Sequence, residues 1–296
     1  MTSSVVTFAR AIRLHHWVKN LLIFLPLLLA HRFLEIDRLL HAGYAFLSFS
    51  LCASSVYLLN DVLDLDSDRE HPVKRHRPIA SGLLNATHAL LFAGLFAIVG
   101  LLIAWFLLST RFIQLLLVYL LATTAYSWRL KGIAILDVMV LASLYTVRVF
   151  AGSVAVDVLI SPWFLAFCVF FFLNLAFLKR YTELLLVQAR EGDRALGRSY
   201  RVTDLTMFQI VGPVSGYLSV LIFALYVTSD VVADQYNRPN ALWLACGFLL
   251  YWITHTWFIA NRGEMHDDPV LYALRDPYSY LAVVGMSMVM VLAALV

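Results

Sequence analysis

Charge is what this sequence has least of. Only 14% of its 296 residues are Asp, Glu, Lys or Arg, and 61% are hydrophobic; soluble domains carry about 25% charged residues. The balance excludes a water-soluble domain. The apolar excess runs the whole length, which predicts one polytopic membrane domain over residues 1–296. Cysteine is nearly absent as well. Cys52, Cys168 and Cys246 each lie in an apolar run, at no metal-ligand or disulfide spacing, and are expected to be buried, inert thiols. The glycines form no phosphate-cradling pattern. His15, His16, His71 and His76 lack the partners at finger-like spacing that a tetrahedral zinc site needs. No aromatics interleave with the basic segments, so nucleic acid is not expected as a partner. Leu21–Ala30 resembles the apolar core of a signal peptide, but no small-residue cleavage site follows it. There is no internal repeat and no pair of broken helices, which argues against a transporter.

What is present is a series of apolar windows about twenty residues long, the length of a transmembrane helix. Nine are expected, near 17–34, 39–60, 86–108, 111–128, 133–153, 161–180, 207–229, 239–260 and 277–296. Their length favours helices over strands, so the fold class is an all-α integral membrane bundle. Of the 22 Lys and Arg residues, Arg32, Arg38, Arg111 and Arg238 fall on one set of loops, and Arg148 lies within a span. The others fall on the opposite loops, which are also the long ones, at 61–85, 181–206 and 261–276. The positive-inside rule therefore predicts a cytoplasmic N-terminus and an active face turned to the cytoplasm of a plasma membrane protein.

Against this apolar background, Asp61, Asp64, Asp66 and Asp68 crowd the end of the second span, beside Asn60. On a helix, Asn60, Asp61, Asp64 and Asp68 share a face while Asp66 points away. Clustered like charges repel, and a hard divalent cation such as Mg²⁺ would relieve them. Arg69, Lys74, Arg75 and Arg77 follow closely, with Pro72, Pro78 and Gly82 shaping the loop. Carboxylates followed by cations suit a metal-bound polyphosphate. The plain alternatives are a solvated helix end and a basic run that obeys topology and binds lipid headgroups.

The spacing of Asn60, Asp61, Asp64 and Asp68 resembles the first aspartate-rich motif of the UbiA superfamily of intramembrane prenyltransferases. Arg77, Pro78 and Gly82 resemble its Arg-Pro continuation, and Tyr126 with Lys131 is similar to its Tyr/Lys motif. The nine expected helices match as well. One departure stands out. Where ordinary members carry a second Asp-x-x-x-Asp motif after the sixth helix, this chain has Lys179, Arg180, Tyr181, Thr182 and Glu183. A cation in place of an anion disfavours a second metal and favours an extra phosphate. That feature, with the run Asp68 to Gly82, Asp137, Arg148, Ala151, Gly152, and the last loop from Asp267, Asp268 and Pro269 to Arg275 and Asp276, resembles the decaprenyl-phosphate phosphoribosyltransferase branch.

The resemblance implies Mg²⁺-dependent transfer of 5-phosphoribose from phosphoribosyl pyrophosphate to a polyprenyl phosphate within the membrane lipid, a step of cell-wall biosynthesis. It implies Asp61, Asp64 and Asp68 as metal ligands, with Asn60 as a neutral ligand or orienting group. Lys74, Arg77, Tyr126 and Lys131 become candidates for the pyrophosphate or acceptor phosphate. Lys179, Arg180, Arg194, Arg198 and Arg201 become candidates for the ribose 5-phosphate, and Glu183 for offsetting charge on the ribose ring. Arg148, costly in hydrocarbon, reads equally as a phosphate contact or as half of a structural pair. Asn174 and Gln114 read as interhelical hydrogen bonds. The alternatives are prenyl transfer to an aromatic or haem acceptor, and a lipid or ion transporter. A homo-oligomer is compatible with the large lipid-facing surface.

Overall fold

The computed structural model describes residues 4–70, 74–194, 198–265 and 268–295. His71, Pro72 and Asp267, singled out above, lie outside them. Regular secondary structure among the described residues is helical, apart from one isolated antiparallel bridge between Arg194 and Arg201. In chain order the helices are α1 (Ser4–Ala11), α2 (Leu25–Leu29), α3 (Ile36–Leu63), α4 (Leu65–Glu70), α5 (Ala86–Leu107), α6 (Thr110–Trp128), α7 (Leu136–Ala155), α8 (Pro162–Gln188), α9 (Leu205–Val227), α10 (Asp230–Gln235), α11 (Trp243–Asn261), α12 (Pro269–Ala273) and α13 (Pro277–Leu295). A long 3₁₀ segment, Leu14–Phe24, links α1 to α2.

Local sequence explains many of the ends. Asn85 caps α5, its side chain accepting from the Thr87 N–H. Asp268 caps α12 in the same way, accepting from Val270 N–H. Pro162, Pro269 and Pro277 open α8, α12 and α13, where their missing N–H costs nothing.

Seven helices among the described residues are long and apolar enough to cross a membrane, or eight if the bent pair Val5–Ala11 and Leu14–Leu29 is one span. This makes the chain a multi-pass membrane protein. The expected segment 111–128 is indeed a helix, α6, but Arg111, Gln114, Thr123, Thr124 and Ser127 dilute its hydropathy, and it does not count among the seven.

The chain divides into two compact units. The first comprises Met1–Trp128 and Val147–Leu159. Its centre is the pairing of α3 with α5, where small polar side chains of α3 bond to the partner backbone. Ser48 Oγ donates to the Gly100 carbonyl at 2.8 Å and Ser55 Oγ to the Ala93 carbonyl at 2.7 Å. In hydrocarbon such bonds replace water that is not there. Ala11, Ile12, Leu58, Ile79, Ala89 and Ala93 close an apolar cluster beneath the end of α3. Gly152 lies against the backbone carbonyl of Ile23, with no room for a Cβ.

The second unit comprises Arg129–Thr146 and Ile160–Val296. It is built on α8 against α9, with α11 and α13 alongside. Aromatic contacts fill it, among them Tyr145 stacked on Phe172 and Phe171 on Trp252. Cys168 and Cys246 are buried here, as Cys52 is in the first unit, and all three are free thiols.

Candidate active site

In the first unit, α3 ends at Leu63 and Asp64 makes the joint to α4. The turn geometry nonetheless continues, with Asp64 N–H bonded to the Asn60 carbonyl and Asp68 N–H to that of Asp64, both at 2.8 Å. Two carboxylates two turns apart, Asp61 and Asp68, thereby come to one side and are 3% and 1% exposed. Arg77 bridges them: its Nη1 lies 3.1 Å from Asp61 Oδ1 and 2.7 Å from Asp68 Oδ2. A second guanidinium, from Arg13, donates to the same Asp61 Oδ1 at 2.6 Å. Asn60 turns elsewhere, its Nδ2 donating to Ser127 Oγ at 2.7 Å. That bond ties the acidic stretch to the last turn of α6, which also carries Tyr126.

Among the described residues no three His, Cys, Asp or Glu side chains converge on a point that could hold a metal. The chemistry of the donors still suits a hard cation. Asp61 and Asp68 offer carboxylate oxygens, and Asp68 Oδ1 is buried with no hydrogen-bond partner. A buried, unsatisfied anionic oxygen is costly, and a divalent ion is the ligand that would relieve it. Asp61 and Asp68 are the pair whose chemistry could hold a hard cation such as Mg²⁺.

Arg148 lies deeper in the same unit and is 6% exposed. Its Nε donates to Asn20 Oδ1 and its Nη2 to Tyr119 Oη, both at 2.8 Å, and the guanidinium also packs over the Tyr119 ring. Asn20 in turn donates to Ser50 Oγ at 2.9 Å. Two neutral acceptors, Asn20 of the 3₁₀ segment and Tyr119 of α6, thus meet this buried cation.

The second unit gathers Arg180 and Arg198 around Asp137, which is 0% exposed. Arg180 grips it with Nε and Nη2, Arg198 reaches the same carboxylate at 2.6 Å, and Arg180 Nη1 also pairs with Glu183. The loop bearing Arg198 docks as a whole. Arg198 also donates to the Lys131 carbonyl, Ser199 Oγ to that of Gly132, and Ile135 N–H donates to Tyr200 Oη. Burial, with the Asp137 carboxylate nearby, pushes the Tyr200 phenol up to about 12, so it stays protonated. Lys179 meets Asp268 of the last loop at 2.8 Å. Arg194 and Arg201 stay exposed at the surface: Arg194 lies beside Asp193, and the Arg201 N–H donates to Asp204. Lys74 sits in the 3₁₀ turn Lys74–His76 and Lys131 in Leu130–Gly132.

Three residues of these clusters escape a reading of the sequence. Arg13 looks like one more topology-setting cation, since it stands 48 residues from its partner. Asn20 and Tyr119, like any polar residues in apolar runs, give no sign that they hold Arg148. Trp257 donating to Asn174 is the interhelical bond expected of that asparagine.

A model of the UbiA prenyltransferase family matches residues 21–275. The chain belongs to this family. It is accordingly an enzyme of the superfamily. It is 33% identical to the decaprenyl-phosphate phosphoribosyltransferase of Mycolicibacterium smegmatis over 275 residues, 90% of this chain and 86% of that one. It is 32% identical to the nodulation protein NoeC of Azorhizobium caulinodans over 96% of this chain and 92% of that one. An uncharacterized protein of Sinorhizobium fredii, y4nM, is 36% identical over 91% of this chain, which spans about half (52%) of its length. Among solved structures, a UbiA homolog from Archaeoglobus fulgidus bound to DMAPP and Mg²⁺ superposes with a TM-score of 0.69 at 15% identity, covering 98% of this chain and all of that one. At that identity the likeness speaks for the fold.

Proposed function

We propose that this enzyme transfers 5-phosphoribose from phosphoribosyl pyrophosphate to a polyprenyl phosphate, giving polyprenylphosphoryl-β-ribose 5-phosphate and pyrophosphate. The observation that carries the reading is a cation, Lys179, where ordinary family members place an acid, in a chain similar over nine-tenths of its length to a decaprenyl-phosphate phosphoribosyltransferase. The whole chain acts as a single domain, with α6 and the bent N-terminal segment completing nine spans and the N-terminus in the cytoplasm. The basic loops then face the cytoplasmic side of the plasma membrane, where a soluble, highly anionic donor is found.

Asp61, Asp64 and Asp68 hold Mg²⁺ in this reading, and Asn60 orients the acidic stretch through Ser127. Bound Mg²⁺ would supply Lewis-acid stabilisation of the departing pyrophosphate. Arg77, Lys74, Tyr126 and Lys131 bind phosphate oxygens. Lys179, Arg180 and Arg198 serve the 5-phosphate, with Arg194 and Arg201 adding positive charge at the surface. Arg148, bonded to Asn20 and Tyr119, places a fixed positive charge at depth, where it serves a phosphate. An acceptor phosphate oxygen attacks ribose C1, and the bond from C1 to pyrophosphate breaks with its electron pair on the leaving oxygen. The acceptor is already ionised at neutral pH, so no general base is needed. Glu183 offsets positive charge growing on the ribose ring. Rate enhancement then comes from positioning and fixed charge.

Purified enzyme with labelled phosphoribosyl pyrophosphate, Mg²⁺ and polyprenyl phosphate is expected to form a labelled lipid and release pyrophosphate. No labelled lipid, alongside activity with a prenyl diphosphate and an aromatic acceptor, would transfer the assignment to prenyl transfer.

A further inference from the structure

Arg13 occupies an unusual place. α1 stops at Ala11, the 3₁₀ segment starts at Leu14, and the two are bent by 55°. Arg13 makes the corner with φ 52° and ψ 49°, a left-handed conformation that a long L side chain rarely adopts. No glycine or asparagine relieves the turn. Such strain persists where the surroundings over-determine it, and here the side chain supplies the reason. Its guanidinium packs over the ring of Tyr57, 4.5 Å from the centroid, and reaches Asp61 Oδ1 at 2.6 Å. Tyr57 lies one turn before Asp61 on α3, so a single helix face holds both the aromatic seat and the anion.

Asp61 and Asp68 face Arg13 and Arg77, two negative charges against two positive. Carboxylates already paired with guanidiniums attract a divalent ion less than bare ones do. Removing one guanidinium would leave the Asp61–Asp68 pair net negative, with Asp68 Oδ1 still lacking a partner. Arg77 bridges both carboxylates, whereas Arg13, 21% exposed, contacts only Asp61; of the two guanidiniums, Arg13 is the one whose departure leaves that bridge in place.

We propose that Arg13 is an exchangeable counter-ion of Asp61: it holds the carboxylate oxygen that a divalent metal takes, and its release at the α1 corner accompanies metal binding. The inference rests on the reading of Asp61 and Asp68 as metal ligands. It makes Arg13 a positioning residue that sets metal affinity. Metal held weakly by the resting enzyme would then arrive chiefly with a diphosphate, whose own charge tips the balance.

The test uses full-length protein in nanodiscs with Mn²⁺ as a paramagnetic substitute for Mg²⁺, counting free Mn²⁺ by electron paramagnetic resonance in the absence of donor. R13Q is expected to bind Mn²⁺ roughly tenfold more tightly than wild type, the scale of one lost charge-assisted hydrogen bond. R13K should fall between, R10Q should match wild type, and D61N should lose the site. Hydrogen exchange of Thr7–Ala11 supplies a readout independent of activity. It should rise when Mn²⁺ is added to wild type, and in R13Q it should be high with or without metal. If wild type binds Mn²⁺ and folded R13Q and R13K bind it no better, the counter-ion role is overturned while the carboxylate reading stands. If wild type and R13Q both fail to bind Mn²⁺, the carboxylate reading falls, and this inference with it.

Discussion

Arg180 and Asp137 meet as a two-pronged buried ion pair, Nε to Oδ2 at 2.5 Å and Nη2 to Oδ1 at 3.3 Å. Both side chains are almost wholly withdrawn from solvent, and Arg198 adds a second cation to the same carboxylate. Breaking such a pair from one side strands a charge in a medium that solvates it poorly.

Asp137→Ala should therefore destabilise the fold by about 3–5 kcal/mol, seen as a lower unfolding temperature in detergent. Asp137→Leu combined with Arg180→Met removes both charges and should recover much of that loss. A single variant as stable as wild type would show that the pair carries no such cost.

Arg77 spans two carboxylates with one nitrogen, so its loss should uncouple Asp61 from Asp68. Arg77→Gln is expected to lower kcat/KM by about 10–100-fold, the equivalent of one charge-assisted contact of roughly 1.5–3 kcal/mol. Steady-state kinetics on folded protein checks this, and unchanged kinetics would remove Arg77 from the site.

Lys179 is matched with Asp268 at 2.8 Å. Lys179→Asp would set two carboxylates against each other and take a cation from the proposed 5-phosphate locus. Donor affinity should fall by about 10–100-fold, measured by titration with phosphoribosyl pyrophosphate. Unchanged affinity would show that the lysine serves the last loop and does not read the donor.

Acid sensitivity should trace partly to Asp276, which precedes α13. Burial alone would raise its carboxyl, but hydrogen bonds from the Ser279 hydroxyl and N–H, with His255 nearby, hold it below the ordinary value. A carboxylate depressed in the folded state contributes stability above its unfolded value of about 3.9, and that contribution is lost as pH falls through the folded one. Unfolding temperature measured from pH 6 to pH 3 should drop for wild type, and Asp276→Asn should be less stable at pH 6 with a shallower fall. Parallel curves would discount this carboxylate.

Much of the fold is legible in the chain because apolar windows and loop charges are local signals. α3, α5, α8, α11 and α13 follow from them directly. The first segment is harder: Pro26 marks an interruption, but the sharper corner is at Arg13, where no proline or glycine announces it. α6 is legible as a helix, yet its polar side chains leave its hydropathy short of the other spans. At the site, the approach of Asp61 and Asp68 to one side can be anticipated from their seven-residue spacing. The arginines cannot be assigned that way. A guanidinium that answers a carboxylate 43 or 48 residues away looks, in sequence, like any cation that keeps a loop in the cytoplasm. Arg198 and Arg201 illustrate the limit: three positions apart and chemically identical, one is docked on Asp137 and the other is exposed.

The serines of α3 have an evolutionary consequence. Ser48 and Ser55 bond to carbonyls, which every residue type supplies, so the partner helix contributes its backbone and no particular side chain. The outward surface of α5 can therefore be rewritten to suit membranes of different lipid content without touching this grip. The positions that cannot drift are those where bulk would pry the backbones apart, above all Gly100, which lies against Cys52 and the Ser48 carbonyl.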